Sequence, residues 1–185
     1  MQAARGASLS DAANPGPAPF RSRSGALHAL VVLVWVVGLG VDQVTKAIAA
    51  DRLADRGSVR VVGSLLQLDL TRNAGAAFST GTQFTVLLSC VAMVATVVVA
   101  VIAFRAGTAA WAVALGLLLA GITGNLTDRL FRAPGPLRGH VVDFLMLPHW
   151  PVFNVADVCI TLAAVLIVVQ AYRGVRLDGR REEKA

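Results

Sequence analysis

The sequence predicts an all-α integral membrane protein of four transmembrane helices with a small extracytoplasmic β element. Three observations predict it. Of 185 residues, 56% are hydrophobic and only 15% charged, and the mean hydropathy is +0.66, values foreign to soluble domains of this size. Four charge-free stretches, 26–41, 82–104, 108–126 and 158–172, reach or approach the roughly 20 residues that cross a bilayer as helix. Flanking residues complete the first and last. Finally, Leu66, Leu68 and Leu70 alternate with Gln67, Asp69 and Thr71, the period of a strand.

Taken in order, residues 1–24 are rich in Ala, Pro, Ser and Gly, with Pro15, Pro17 and Pro19 at alternate positions. They read as a disordered tail. Arg21 and Arg23 before an apolar run, with Ala47-Ile48-Ala49 beyond it, imitate a cleavable leader. Asp42, Gln43 and Lys46 in the approach to that site argue against one. The membrane domain is expected over 25–173. Its first loop, 51–81, suits a hairpin: Val59 and Val61 face the leucine strand across Gly63-Ser64, and one apolar face would rest on the membrane. The second holds a turn at Pro134-Gly135-Pro136, then a strand or half-inserted segment around Asp143, then Pro148 and Pro151. Residues 174–185 read as a basic cytoplasmic tail.

With four spans, the end of the first, start of the second, end of the third and start of the fourth share one side. Every unusual polar cluster lies there: Asp42 and Lys46; Asn73; Asn125, Asp128 and Arg129; Asp143, Asn154 and Asp157. This convergence holds whichever way the protein faces. The 17 Lys and Arg residues divide almost evenly, with one more on the side of the termini. Together with the basic tail close to a span end, this places both termini in the cytoplasm and the polar clusters outside.

Two aspartates carry the chemistry. Asp143 interrupts the apolar run VVDFLML and Asp157 heads FNVADVCITLAAVLIVV, and an ionisable group at membrane depth costs roughly 3 kcal/mol on insertion scales. Asn154 followed by Asp157 is also an ordinary helix start, in which the N-terminus favours an ionised carboxylate. Asp143, among Val142, Phe144, Leu145 and Met146, is desolvated, which favours its neutral form. Carboxyl groups pushed apart in this way are the expected acid and base of shared-proton chemistry on water. The plainer alternative for Asp143 is an ion pair with Arg129 or Arg138.

The other polar residues have two readings each. Asn125, Asp128 and Arg129 lie at i, i+3 and i+4 on one helical face, where Arg129 either anchors the helix at the headgroups or offers its donor fork to a carboxylate or a substrate carbonyl. Asp42 and Lys46, at i, i+4, form an interfacial salt bridge or support the site. Asn73, near Gly75, suits a tight turn or a hydrogen bond to a peptide backbone. Competing chemistries lack their signatures. No HExxH, GxSxG or zinc spacing is present, His140 and His149 alone could approach the aspartates, and no metal or other cofactor is called for. Cys90 and Cys159 fall inside spans as packing residues. The net charge of +6 suits anionic lipid headgroups rather than nucleic acid, for which no motif exists.

The ordered motifs DQVTK (42–46), NAGAAF (73–78), GNLTDR (124–129), VVDF (141–144) and FNVAD (153–157) on four spans strongly resemble lipoprotein signal peptidase, the type II signal peptidase of bacteria. The resemblance runs from Leu27 to Tyr172. It implies a multi-pass aspartyl endopeptidase of the bacterial inner (cytoplasmic) membrane. Such an enzyme removes signal peptides from prolipoproteins whose lipobox cysteine carries diacylglycerol, with its active site extracytoplasmic. It further implies Asp143 and Asp157 as the catalytic dyad, Asn73, Asn125, Arg129 and Asn154 lining the site, and Asp42, Lys46 and Asp128 supporting it. Sensitivity to the cyclic peptide globomycin is implied as well, and no metal is needed. Two rivals predict other things. A proton-coupled transporter would distribute carboxylates through the membrane depth, whereas spans two and three carry almost none. A lipoprotein-binding chaperone would tolerate Asn at either aspartate.

Overall fold

The computed structural model describes residues 21–75 and 84–181, without the side chains of 21–23. Its elements are α1 (Arg21–Arg52), β1 (Val59–Val62), β2 (Leu66–Asn73), α2 (Thr85–Ala103), α3 (Ala109–Phe131), β3 (Val141–Met146) and α4 (Val155–Tyr172). All four helices are long and apolar enough to cross a membrane, as the hydropathy pattern predicts. Helix α1 begins inside the expected tail, because nothing after Pro19 interrupts its hydrogen-bond ladder. Residues 1–20 lie outside the described residues.

Helix α3 is the hub, packing on α1, α2 and α4. Small residues let the backbones approach. Gly116 lies against Val31 and Val34 of α1, a Cβ on Gly38 would meet Ala120, and Gly124 lies against Asp42. On the side of α3 that meets α4, Gly121 lies against Ala156 and Ile160. The large side chains mostly point outward: Leu33, Val37, Val94, Val97, Val101 and Val168 are all more than half exposed. Such a surface suits acyl chains and not water.

At about 1.5 Å per residue, the 32 residues of α1 span about 48 Å, well beyond the ~30 Å of hydrocarbon. Its last turns therefore carry apolar residues out of the bundle to meet the sheet. Ala49, with Leu53 just past the helix end, packs there with Phe144, Leu68, Leu70, Leu145 and Val155.

The expected hairpin is present, with Val59 opposite Leu68, Arg60 opposite Gln67 and Gly63 in the left-handed region the turn requires. Residues 76–81 of that loop lie outside the described residues. The segment around Asp143 is a strand and pairs antiparallel with β2, completing a three-stranded sheet in the order β1-β2-β3.

At the opposite end, residues 174–181 are not a free tail. Trp111 Nε1 donates to Val175 O (3.1 Å) and Gly107 N to Leu177 O (2.8 Å). Leu177 packs on the core cluster of Val31, Ala103 and Ala106. Alternating Val175 and Leu177 between Gly174 and Gly179, both at positive φ, give this basic segment an inward face.

Candidate active site

The site assembles at the end where α1 and α3 finish and α2 and α4 begin, as parity requires. Helix α4 starts with Asn154, whose extended backbone (φ −136°) and side chain make it the N-cap: Asp157 N donates to Asn154 Oδ1 (3.0 Å), and Asn154 N donates to Asp157 Oδ2 (3.1 Å). This reciprocal capping box satisfies two backbone donors that a helix start leaves free. It also holds the Asp157 carboxylate at the lip of the helix.

The same Asn154 reaches Asp143. Its Nδ2 donates to Asp143 Oδ1 (2.5 Å) and to Asn125 Oδ1 (3.1 Å). One buried residue thus bonds both aspartates. Strand pairing supplies the second contact. Because Asn73 lies opposite Val141 and Thr71 opposite Asp143, Asn73 Nδ2 donates to Asp143 Oδ2 (3.1 Å). Gly75 N closes a turn on Asn73 Oδ1 (2.8 Å). The Asn73 amide is therefore engaged inside the protein at both ends. It orients Asp143.

Asp143 is 3% exposed, and its burial pushes its carboxyl up to about 6 against the opposing pull of the Asn73 and Asn154 amides. Its partners are these amides. Neither Arg129 nor Arg138 forms an ion pair with it among the described residues. With neutral donors where a cation could have stood, the carboxyl keeps its proton more easily.

Beneath the aspartates lies an ionic cluster. Lys46, fully buried, directs its three hydrogens to Asp42 (2.9 Å), Asp128 (2.9 Å) and Asn125 Oδ1 (2.9 Å). Asp42 also accepts Ala156 N (2.8 Å) and Gln43 Nε2 (3.0 Å). Asp128 also accepts Arg132 Nε (2.6 Å) and Val142 N (3.2 Å). Two cations and two carboxylates balance, as buried charges must. The i, i+4 salt bridge of Asp42 and Lys46 is present, and it faces inward against α3 and α4. Sequence reasoning misses Arg132 and Gln43 as site-forming residues. The i, i+4 spacing of Asp128 and Arg132 is the available signal.

Arg129 stands differently. Its Nη1 makes one long contact to Asn125 O (3.4 Å), and its Nε is buried with no hydrogen-bond partner among the described residues. Asp143, Asp128 and Asp157 all lie within electrostatic reach of it. Unpaired donors beside two carboxyls suit a ligand's carbonyl or carboxylate.

Comparison with known proteins places the chain in one family. The family model described as signal peptidase (SPase) II matches residues 34–173. The chain is 44% identical to the lipoprotein signal peptidase of Leifsonia xyli over 94% of this chain and 80% of that one. It is 40% identical to that of Streptomyces coelicolor, over 88% and 79% of the two chains. To that of Mycobacterium tuberculosis (H37Rv) it is 44% identical, over 82% and 76%. Among solved structures, a bacterial membrane enzyme determined by the in meso method superposes with a TM-score of 0.71 at 25% identity, covering 85% of this chain and 95% of that one. Another gives 0.68 at 28% identity, covering 77% and 92%.

Proposed function

The chain belongs to the signal peptidase II family, and from that premise we propose that it is a metal-independent aspartyl endopeptidase. Its substrates would be prolipoproteins of the bacterial inner membrane, cut on the N-terminal side of the diacylglyceryl-modified lipobox cysteine. The observation that carries this reading is Asn154 bonded to both Asp143 and Asp157. Two carboxyls tied to one buried residue, one desolvated and one at a helix N-terminus, are arranged to share a proton.

In this mechanism Asp157 takes a proton from water as the oxygen attacks the scissile carbonyl, and protonated Asp143 donates to the carbonyl oxygen. Asp157 is assigned the base because it lies in the first turn of α4, where the helix N-terminus favours an ionised carboxylate, with Asn125 Nδ2 (2.9 Å) and Asn154 N (3.1 Å) donating to its two oxygens. Arg129 holds a substrate carbonyl with its unpaired donors, and the sheet covers the cut site. Both termini face the cytoplasm and the dyad faces outward. The cyclic peptide globomycin should compete with substrate.

The test is cleavage of a synthetic diacylglyceryl-cysteine lipobox peptide by purified protein in detergent, with EDTA present throughout. Cleavage blocked by globomycin supports the reading. Its absence while globomycin still binds would leave a lipopeptide-binding protein.

The pH dependence follows from Asp143, whose carboxyl stands at about 6. As the proton donor it works only while protonated, so activity is lost as pH rises through that value. We expect kcat/KM to fall on an alkaline limb starting near pH 6, by about tenfold per pH unit. Substrate covering the site desolvates Asp143 further, so the corresponding limb of kcat should lie at higher pH. A kcat/KM profile flat from pH 5 to 8 would remove Asp143 from the donor role.

A further inference from the structure

Each asparagine around the dyad has its amide oxygen fixed by a group able only to donate. Asn73 Oδ1 accepts from Gly75 N, Asn154 Oδ1 from Asp157 N, and Asn125 Oδ1 from Lys46 Nζ. A backbone N–H and an ammonium offer no lone pair, so none of these amides can turn over without setting donor against donor. Each is therefore obliged to present its NH2 to a carboxyl: Asn73 and Asn154 to Asp143, Asn125 to Asp157.

Two of these fixing groups are backbone. The third is a side chain on another helix, hydrogen-bonded to neither aspartate and within electrostatic reach of Asp143. We propose that Lys46 is a positioning residue of the dyad, acting through Asn125: its ammonium fixes and polarises the amide whose NH2 holds Asp157 as the base. This deepens the peptidase reading and rests on it. Asn125 Oδ1 has two lone pairs, and Lys46 and Asn154 Nδ2 fill both. Lys46 is thus more than a counter-ion for Asp42 and Asp128. Two of its hydrogens serve those carboxylates, and the third is aimed at the site.

The charged groups facing Asp157 are Asp143 on β3 and Arg129 on α3, with Lys46 on α1 behind Asn125. Asn125→Asp isolates the link. The new carboxylate keeps an acceptor for Lys46 and Asn154 but turns the donor facing Asp157 into an acceptor. Lys46→Met combined with Asp42→Asn removes one charge of each sign, leaving Asp128 paired with Arg132. The experiment is the pH profile of lipobox-peptide cleavage by wild type and both variants, with thermal unfolding midpoints in detergent as the folding control.

We expect Asn125→Asp to lower kcat/KM at least about 100-fold. Its acid limb, where the base takes up its proton, should move upward by about one pH unit or more. The double variant should move the same limb in the same direction by less, with KM little changed. Acid limbs that stay in place in folded variants, activity falling equally at every pH, would overturn the proposal while leaving the peptidase reading intact. If the double variant does not fold, Lys46→Gln combined with Asp42→Asn replaces it, judged by the same acid limb. A wild type that does not cleave overturns both.

Discussion

Asp157→Asn is expected to lower kcat/KM for the lipobox peptide by at least about a thousandfold, and Asp143→Asn by as much. Each substitution keeps the side chain's size and removes one proton-handling group. In Asp157→Asn the remaining side-chain oxygen still accepts the N–H of Asn154, so the start of α4 is kept, while the new NH2 faces that of Asn125. In Asp143→Asn the remaining oxygen still accepts one of the two amide donors that hold the carboxyl in place. What is lost is the pair's ability to take a proton from water with one member and give one with the other. Because the aspartates act as a unit, the double variant should be no worse than either single one. Additive losses, each modest, would mean that the carboxyls contribute separate electrostatic effects and are not a dyad. Cleavage surviving both substitutions would reassign the chemistry to other residues. A chaperone that only binds lipopeptide would pass through all three variants unaltered in globomycin binding.

The parts legible in the sequence are those whose signal is local. A span announces itself because hydropathy sums over some 20 neighbouring residues, and the aspartates stand out because each is costly to bury where it lies. The capping box at Asn154 and Asp157 is legible for the same reason, its two residues being three positions apart. What stays hidden depends on residues distant in sequence. Asn73 meets Asp143 only through the register of β2 on β3, and no pattern within either strand specifies its partner. Helical spacing pairs Lys46 with the residue one turn before it, because spacing reveals contacts along one helix only. Two of its three acceptors come from α3. The inward face of residues 174–181 is obscured by their charge, since Arg176, Arg180 and Arg181 outweigh Val175 and Leu177 in the segment's composition.

The glycine beside the ionic cluster gives the second large effect. Gly124→Ala is expected to leave little folded protein, or to lower the unfolding midpoint steeply. A Cβ there would sit 2.6 Å from Asp42 Oδ2 and 3.1 Å from the Ala156 Cβ. Asp42 has no room to yield, being held at once by Ala156 N, Lys46 and Gln43. Overpacking alone costs about 1–3 kcal/mol, and disturbing a buried, balanced pair costs about 3–5 kcal/mol when one partner is lost. Together they are comparable with the whole stability of an ordinary domain. Gly40→Ala, on α1 two residues before Asp42, is the matched control. Nothing lies within 4 Å of the Cβ it adds, and alanine is the better helix former by up to about 1 kcal/mol. Its midpoint should therefore be unchanged or slightly raised, with full cleavage activity. The comparison separates close packing at one point from a general intolerance of α1 and α3 to added volume. Equal melting of both variants would mean that α1, α3 and α4 do not close on Asp42 as described. The ionic cluster would then lose its claim to hold the ends of three helices, and with them Asn125 and Asn154, in register with the aspartates.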